Sequence, residues 1–298
     1  MRAEPHGGQA GPTALRVDLF PQGNLGAGVI AAALADGVAG ARRAGVSDLR
    51  PLAGANHVLA GRTAVLRCQH YDHERLETTL DFARASGAAG IPAAHLISCG
   101  QDRAGTWWTL MSRVGGEPFG HGPPFAAFAQ LVAALGALHR APVAGGSRWG
   151  DPGVLGIFLG DVAAAEPGAY PRLASALWEL TAGQVLVPIH GDLGVGHNTL
   201  WYSDGQLAGI IDPGAVSVAP AAVDLAGAIA VGICDGHDGH ALLGAVPHQR
   251  RGQVTDLLPP LVRRWLGVAR AGGNRVAQQR CRSYLARAGA PGRVWLRD

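Results

Sequence analysis

With 298 residues the chain has room for one large domain or for two modest lobes around a shared cleft. Charged residues make up only 16% of it, against a usual ~25%, and the net charge is +3, so it carries no concentrated basic stripe of the kind nucleic acid requires. All 25 basic residues are arginine, so any task that other proteins give to lysine falls to arginine here. The four cysteines (Cys68, Cys99, Cys234, Cys281) lie far apart, without zinc or disulfide-framework spacing. The N-terminus has no apolar signal region, and no apolar run approaches the ~20 residues of a membrane span. These features lead us to expect a cytoplasmic protein, a monomer or homodimer, with neither nucleic acid nor membrane as partner.

In chain order, residues 1–24 are rich in Gly and Pro and read as a loose tail. An Ala-rich helix is predicted over 29–44, with Val29, Ile30, Ala33, Leu34 and Val38 on one stripe. Short strands broken by glycine follow at 49–52, 56–59 and 63–68, the first bend being a turn at Gly54, Ala55 and Asn56. Asp72 would cap a helix running to about residue 86 and ended by Gly87. Two more strands are expected at 94–98 and 106–111, and then a Gly/Pro connector at 112–118 marks the lobe boundary. The first lobe is therefore placed at 25–112 and the second at 113–298.

From Phe125 onward the pattern turns helical: Phe128, Leu131, Val132, Leu135 and Leu138 fall at helix spacing, and Pro142 stops them. A second helix is predicted over 171–181, a strand over 185–189, and a hairpin over 199–202 and 207–211. The remainder, from about Pro220, reads as mostly helical. Its arginines (Arg250, Arg251, Arg263, Arg264, Arg270, Arg275, Arg280, Arg282) interleave with Leu and Val and read as a solvated helix face.

The segment from Val185 to Ala226 carries the chemistry. A strand delivers His190-Gly191-Asp192 to its end, and the hairpin delivers Asp212, after two isoleucines, to the end of its second strand. Between them lie His197 and Asn198. Two carboxylates and a neutral donor at neighbouring strand ends suit magnesium-assisted phosphoryl transfer: one takes the proton of the attacking hydroxyl, the other holds the metal. His190 reads as a residue that holds the loop. The cluster around His237-Asp238-Gly239-His240 reads as an exposed turn.

This arrangement resembles the aminoglycoside phosphotransferase superfamily, and the resemblance covers most of the chain. Leu135-Gly-Ala-Leu-His139-Arg-Ala-Pro142 is similar to that family's Leu-His-x-x-Pro helix end. Met111-Ser-Arg-Val-Gly-Gly-Glu-Pro118 resembles its hinge along the nucleotide base, and Ala222-Val-Asp224-Leu-Ala226 its segment bracing the catalytic loop. The resemblance implies an α+β, two-lobed, protein-kinase-like fold, a small sheet lobe followed by a larger helical one. It implies a small-molecule kinase using Mg²⁺ and ATP or GTP. Asp192 would be the base, with His190 beside it, and Asp212 the metal-binding aspartate. Arg67 would grip the phosphates with Glu77, or else Glu74, as its ion-pair partner. Gly54, Ala55 and Asn56 would cover the phosphates, and Met111, Ser112 and Val114 would line the base. His197 stands where most members have the metal-binding Asn, a variant similar to macrolide phosphotransferases, and would be a metal ligand, with Asn198 as the alternative.

Charge bears on the acceptor. From Arg113 onward there are 13 acidic residues against 15 arginines, a poor cradle for a polycation. A nucleoside or macrolide antibiotic, or a related metabolite, fits better than an aminoglycoside, and Trp149, Phe158, Tyr170 and Trp178 are candidates to stack on it. The competing readings are an aminoglycoside kinase, a hydrolase with a metal cluster of His190, Asp192, His197 and Asp212, and a regulatory pseudokinase.

Overall fold

In a computed structural model, residues 27–52, 58–69, 73–119, 124–142, 158–159, 162–163, 166–213 and 217–289 are described, with backbone alone at 27, 28, 69, 73–78 and 124. The tail at 1–24, Asp72, Trp149 and the turn at Gly54, Ala55 and Asn56 lie outside the described residues, as do the side chains of Glu74 and Glu77.

The first lobe starts with helix α1 (Ala27–Arg43) and then lays down β1 (Arg50–Pro51), β2 (Val58–Ala60) and β3 (Ala64–Gln69) as a meander. Helix α2 (His73–Ala88) follows, and β4 (Leu96–Gln101) and β5 (Trp107–Ser112) complete an antiparallel sheet of order β1-β2-β3-β5-β4. The alternation of β3 turns Ala64, Leu66 and Cys68 inward onto α1, where they bury with Ala33, Ala41, Trp108 and Leu110. The Trp108 indole occupies a slot between Gly40 of α1 and Gly100 of β4; a Cβ on Gly100 would come within 2.5 Å of its ring. One expectation fails in α2. Gly87 lies within the helix, and the left-handed Gly90 (φ 68°) stops the chain instead.

The connector forms the two-residue strand β6 (Glu117–Pro118), and helix α3 (Pro124–Leu138) opens the second lobe. Helix α4 (Tyr170–Thr181) leads to β7 (Leu186–Ile189), then to the hairpin β8 (Thr199–Trp201) and β9 (Leu207–Ile210). β6 pairs with β8, so the connector joins the β8–β9 hairpin in one small sheet. Strand β10 (Ser217–Pro220), which the sequence analysis does not anticipate, pairs antiparallel with β7. Helices α5 (Ala221–Asp235), α6 (Gly239–Leu243), α7 (His248–Ala271) and α8 (Arg275–Ala288) finish the described chain.

The core of this lobe is α5 against α7. α5 is buried from Ala221 to Cys234, and α7 from Leu257 to Ala269. The solvated arginine face is corrected here: Arg263 and Arg264 are 3% and 2% exposed, inside α7 rather than on its outer side. The lobes meet where Ile210 N donates to Pro92 O at 2.9 Å and where Arg113 N donates to Thr63 O at 2.8 Å. No helix among the described residues is long and apolar enough to cross a membrane.

Candidate active site

Asp224 organises the loop that follows β7. It stands in the first turn of α5, 2% exposed, where Oδ1 accepts from Gly191 N (2.8 Å) while Oδ2 accepts from His190 N (3.1 Å) and lies 3.2 Å from His139 Nε2. Burial pushes the Asp224 carboxyl up, but the hydrogen bonds from His139 and Gly191 N more than offset it and hold it below its ordinary value. Gly191 sits at φ 80°, a left-handed conformation that a glycine accepts without a steric cost. The strand therefore ends in a turn that presents Asp192.

His190 is fully buried and packs edge-on against Phe82 of α2, ring centroids 5.3 Å apart. Its Nε2 lies 3.0 Å from the Ile211 carbonyl, which can only accept, so Nε2 carries the proton. Burial holds the imidazole neutral. His190 thus ties the loop to the residue before Asp212.

Asp192, 7% exposed, has its two oxygens in different company. Oδ2 lies 3.1 Å from His197 Nε2 and 3.1 Å from Asn198 Nδ2, and Asn198 Nδ2 also donates to the Asp192 carbonyl at 2.9 Å. Oδ1 has no hydrogen-bond partner; Arg264 Nη2 of α7 faces it at 3.6 Å. Burial raises the Asp192 carboxyl, and His197, Arg264 and His190 together bring it below its ordinary value. For His197 the balance is reversed: burial lowers it, but Asp192, Asp212 and Asp235 raise it above its ordinary value. The loop is pinned further by paired hydrogen bonds between Gly194 and His197, and by Thr199 and Trp201 on the Val195 carbonyl.

Asp212 follows β9 and is partly exposed. Its Oδ1 accepts from Arg67 Nη1 of β3, a salt bridge from the sheet lobe to the catalytic hairpin. Burial raises the Asp212 carboxyl, but the Arg67 charge and hydrogen bond more than offset it and hold it below its ordinary value. Among the described non-glycine residues, Asn198 (φ 56°) and Asp212 (φ 58°) alone hold a left-handed backbone, and Ile211 N donates to the Asn198 carbonyl at 3.0 Å. Strained backbone of this kind persists where surroundings over-determine it, commonly at functional sites.

The donor atoms suit a hard cation. Both groups that Asn198 faces on Asp192 are acceptors, so its amide must turn NH₂ toward them, which leaves its carbonyl Oδ1 without a partner in the described structure. An amide oxygen with the Asp212 carboxylate is the oxygen set magnesium prefers. By the same reasoning, the His197 Nε2 facing Asp192 carries a proton, so that nitrogen is not a ligand. Among the described residues no group of three or more His, Cys, Asp or Glu side chains is arranged to hold a metal ion, which argues against the four-residue cluster. Of the base-lining residues, Met111 pairs with Val65 and Leu96. Ser112 N donates to His95 O at 2.8 Å, and Val114 lies over Gly209 of β9. All three are at the junction of the lobes.

The sequence analysis missed Arg264. It shares a face of α7 with Leu257, Leu261, Trp265 and Val268, at i−7, i−3, i+1 and i+4, and an arginine inside an apolar stripe was the signal available. Phe158 reaches the site too, its carbonyl accepting from Arg264 Nε at 2.7 Å. Tyr170 packs against the lobe core, and Trp178 is half exposed.

A sequence profile described as "Phosphotransferase enzyme family" matches residues 49–257. The chain belongs to this family. The phosphotransferase is a small-molecule kinase, and its two-lobed fold is shared with solved aminoglycoside phosphotransferases. One is a thermostable mutant of APH(4)-Ia with ADP and hygromycin B, 16% identical, with a TM-score of 0.59 over 85% of this chain and 98% of that one. A second is APH(3'')-Id from Streptomyces rimosus, 21% identical, TM-score 0.56, covering 76% and 97%. A third is APH(2")-IIa with streptomycin and ATP, 14% identical, TM-score 0.52, covering 83% and 93%. None of the curated proteins matches the sequence.

Proposed function

We propose that this phosphotransferase moves the γ-phosphoryl group of ATP or GTP to a hydroxyl of a small-molecule antibiotic or related metabolite, of nucleoside or macrolide type rather than a polycationic aminoglycoside. Its role would be self-resistance or a biosynthetic step. The observation that carries this reading is the Asp192 Oδ1, a buried carboxylate oxygen without a hydrogen-bond partner, in the same mouth as Arg67 and Asp212.

The acceptor hydroxyl donates its hydrogen bond to Asp192 Oδ1. Its proton passes to the carboxylate as its oxygen bonds to the γ-phosphorus and the bond to the departing nucleoside diphosphate breaks. Arg67 offers the phosphates a planar fork, with Glu77 of α2 as the residue that would hold it. The turn at Gly54, Ala55 and Asn56 would cover the phosphates with backbone N–H groups, and Met111, Ser112 and Val114 would border the base. Asp212 and Asn198 would hold magnesium, which when bound neutralises phosphate charge, and His197 would orient Asp192.

The charge argument for a neutral acceptor gains support from the second lobe. Asp224 is engaged by the loop, Glu166 pairs with both Arg263 and Arg270, and a buried cation stands beside Asp192. To test the proposal, the purified protein is incubated with Mg²⁺, ATP and GTP against nucleoside, macrolide and aminoglycoside antibiotics, and products are weighed by mass spectrometry. A product one phosphate heavier, absent with Asp192→Asn, is expected from the first two classes. Phosphorylation confined to aminoglycosides would overturn the acceptor assignment, and no phosphorylated product with any class would overturn the reading altogether.

A further inference from the structure

We propose that Arg264 is a positioning residue for the catalytic carboxylate, an inference that rests on the phosphotransferase reading above and extends it to α7. The χ2 torsion of an aspartate is soft, so a carboxylate that must aim one oxygen at an acceptor needs restraint from outside. At Asp192 the restraint is two-sided. Oδ2 is held by hydrogen bonds from His197 and Asn198, and Oδ1 faces the Arg264 guanidinium at 3.6 Å. That separation is ion-pair range but beyond a hydrogen bond. The lone pairs of Oδ1 therefore remain for a hydroxyl while the charge fixes the direction in which they point.

Arg264 is itself immobilised. Its Nε donates to the Phe158 carbonyl, its guanidinium lies 4.3 Å from the Phe158 ring centroid, and the Trp265 ring is 5.1 Å away on its own helix. Trp265 in turn stands edge-on to His197, centroids 5.4 Å apart at 87°. Two consecutive residues of α7 thus brace both sides of Asp192: Arg264 acts on Oδ1, and Trp265 acts on the imidazole that holds Oδ2. Burying an arginine costs desolvation, and packing alone would be served better by an apolar residue at this point of the stripe.

The test uses the full chain and water as acceptor, following phosphate release from ATP or GTP with Mg²⁺, alongside thermal unfolding of the free protein. Misplacing a reacting group by about 1 Å can cost roughly 10²-fold in rate. Arg264→Gln should therefore lower the turnover that depends on Asp192 by roughly 10–10²-fold, with KM for nucleotide unchanged within about twofold, and Arg264→Lys should recover part of it. In unfolding, Asp192→Asn should lower Tm less, or raise it more, in the Arg264→Gln background than in the native chain. A folded Arg264→Gln protein with native turnover, or an additive cycle, overturns the proposal. If Arg264→Gln does not fold, the double variant decides: recovery of folding with Asp192→Asn supports the pairing, and failure of both marks Arg264 as a packing residue only. Failure of the kinase reading has its own signature, a native chain without turnover that Asp192→Asn abolishes, and the proposal falls with it.

Discussion

A single carboxylate, Asp224, accepts from two consecutive backbone N–H groups and contacts a histidine that follows α3. Asp224→Asn would turn an NH₂ group toward donors, and an unsatisfied buried group of this kind costs roughly 1–3 kcal/mol. We expect a destabilisation of about that size by urea titration, together with loss of activity well beyond what the stability change explains. Around Asp192 the ligand assignment separates two variants. Asn198→Ala should raise the magnesium concentration needed for half-maximal turnover by about 10–100-fold, a range seen even for groups that only support a ligand. His197→Ala should leave that requirement in place and lower kcat. The sequence carries the His-Gly-Asp strand end, Asp212 and Arg67 openly, because each is a polar residue at the end of an apolar strand. It leaves His197 and Asn198 open because adjacent residues share a spacing, and the proposed choice of Asn198 rests on hydrogen bonds to Asp192 that no spacing shows. Arg264 escaped for a different reason: it lies inside the apolar stripe of α7, but in a helix so rich in arginine that position is easily read as part of a solvated face.

At the scale of elements, helix α1 and strand β4 supply glycines where Trp108 of β5 must lie, and the indole is 5% exposed. Trp108→Ala should cost about 3–5 kcal/mol, the usual range for a buried aromatic truncated in a core, and Gly100→Val should be comparably disruptive because the ring cannot retreat from α1. Either is read by chemical denaturation. The elements of this lobe were largely legible, since β3 alternates and α1 keeps one apolar stripe. Strand β10 was not. All four of its residues are buried and it runs directly into α5, so no alternation separates it from the helix that follows. Gly87 misled because a glycine costs a helix only about 1 kcal/mol, so α2 runs on to Ala88.

α7 offers a pH test. The Arg263 hydrogen bond, and Arg270 after it, hold the Glu166 carboxyl below its ordinary value of 4.5. A depressed carboxylate contributes stability that is present above its unfolded pKa and lost as pH falls through its folded one. Stability should therefore drop more steeply in the native chain than in Glu166→Gln as pH falls below about 4.5. Thermal unfolding across that range checks the difference.

Across the whole molecule, the contacts between the sheet lobe and the helical lobe include Pro92 with Ile210, Phe82 with His190, and Arg67 with Asp212. Under the proposed function, Arg67 is bound for phosphate and Asp212 for a cation, yet here each satisfies the other. The resting site therefore carries its own surrogate for substrate. Nucleotide alone must compete with a carboxylate for Arg67 and would strand Asp212. Magnesium alone must compete with that guanidinium for Asp212. Breaking the pair once serves both ligands, so each should strengthen the binding of the other, and by the same factor whichever is added first. Calorimetric titration of nucleotide with and without magnesium should show this reciprocity, and Arg67→Met should abolish most of it. The kinase would then ignore bare nucleotide and close only on the complexed form, with an internal salt bridge as the discriminator.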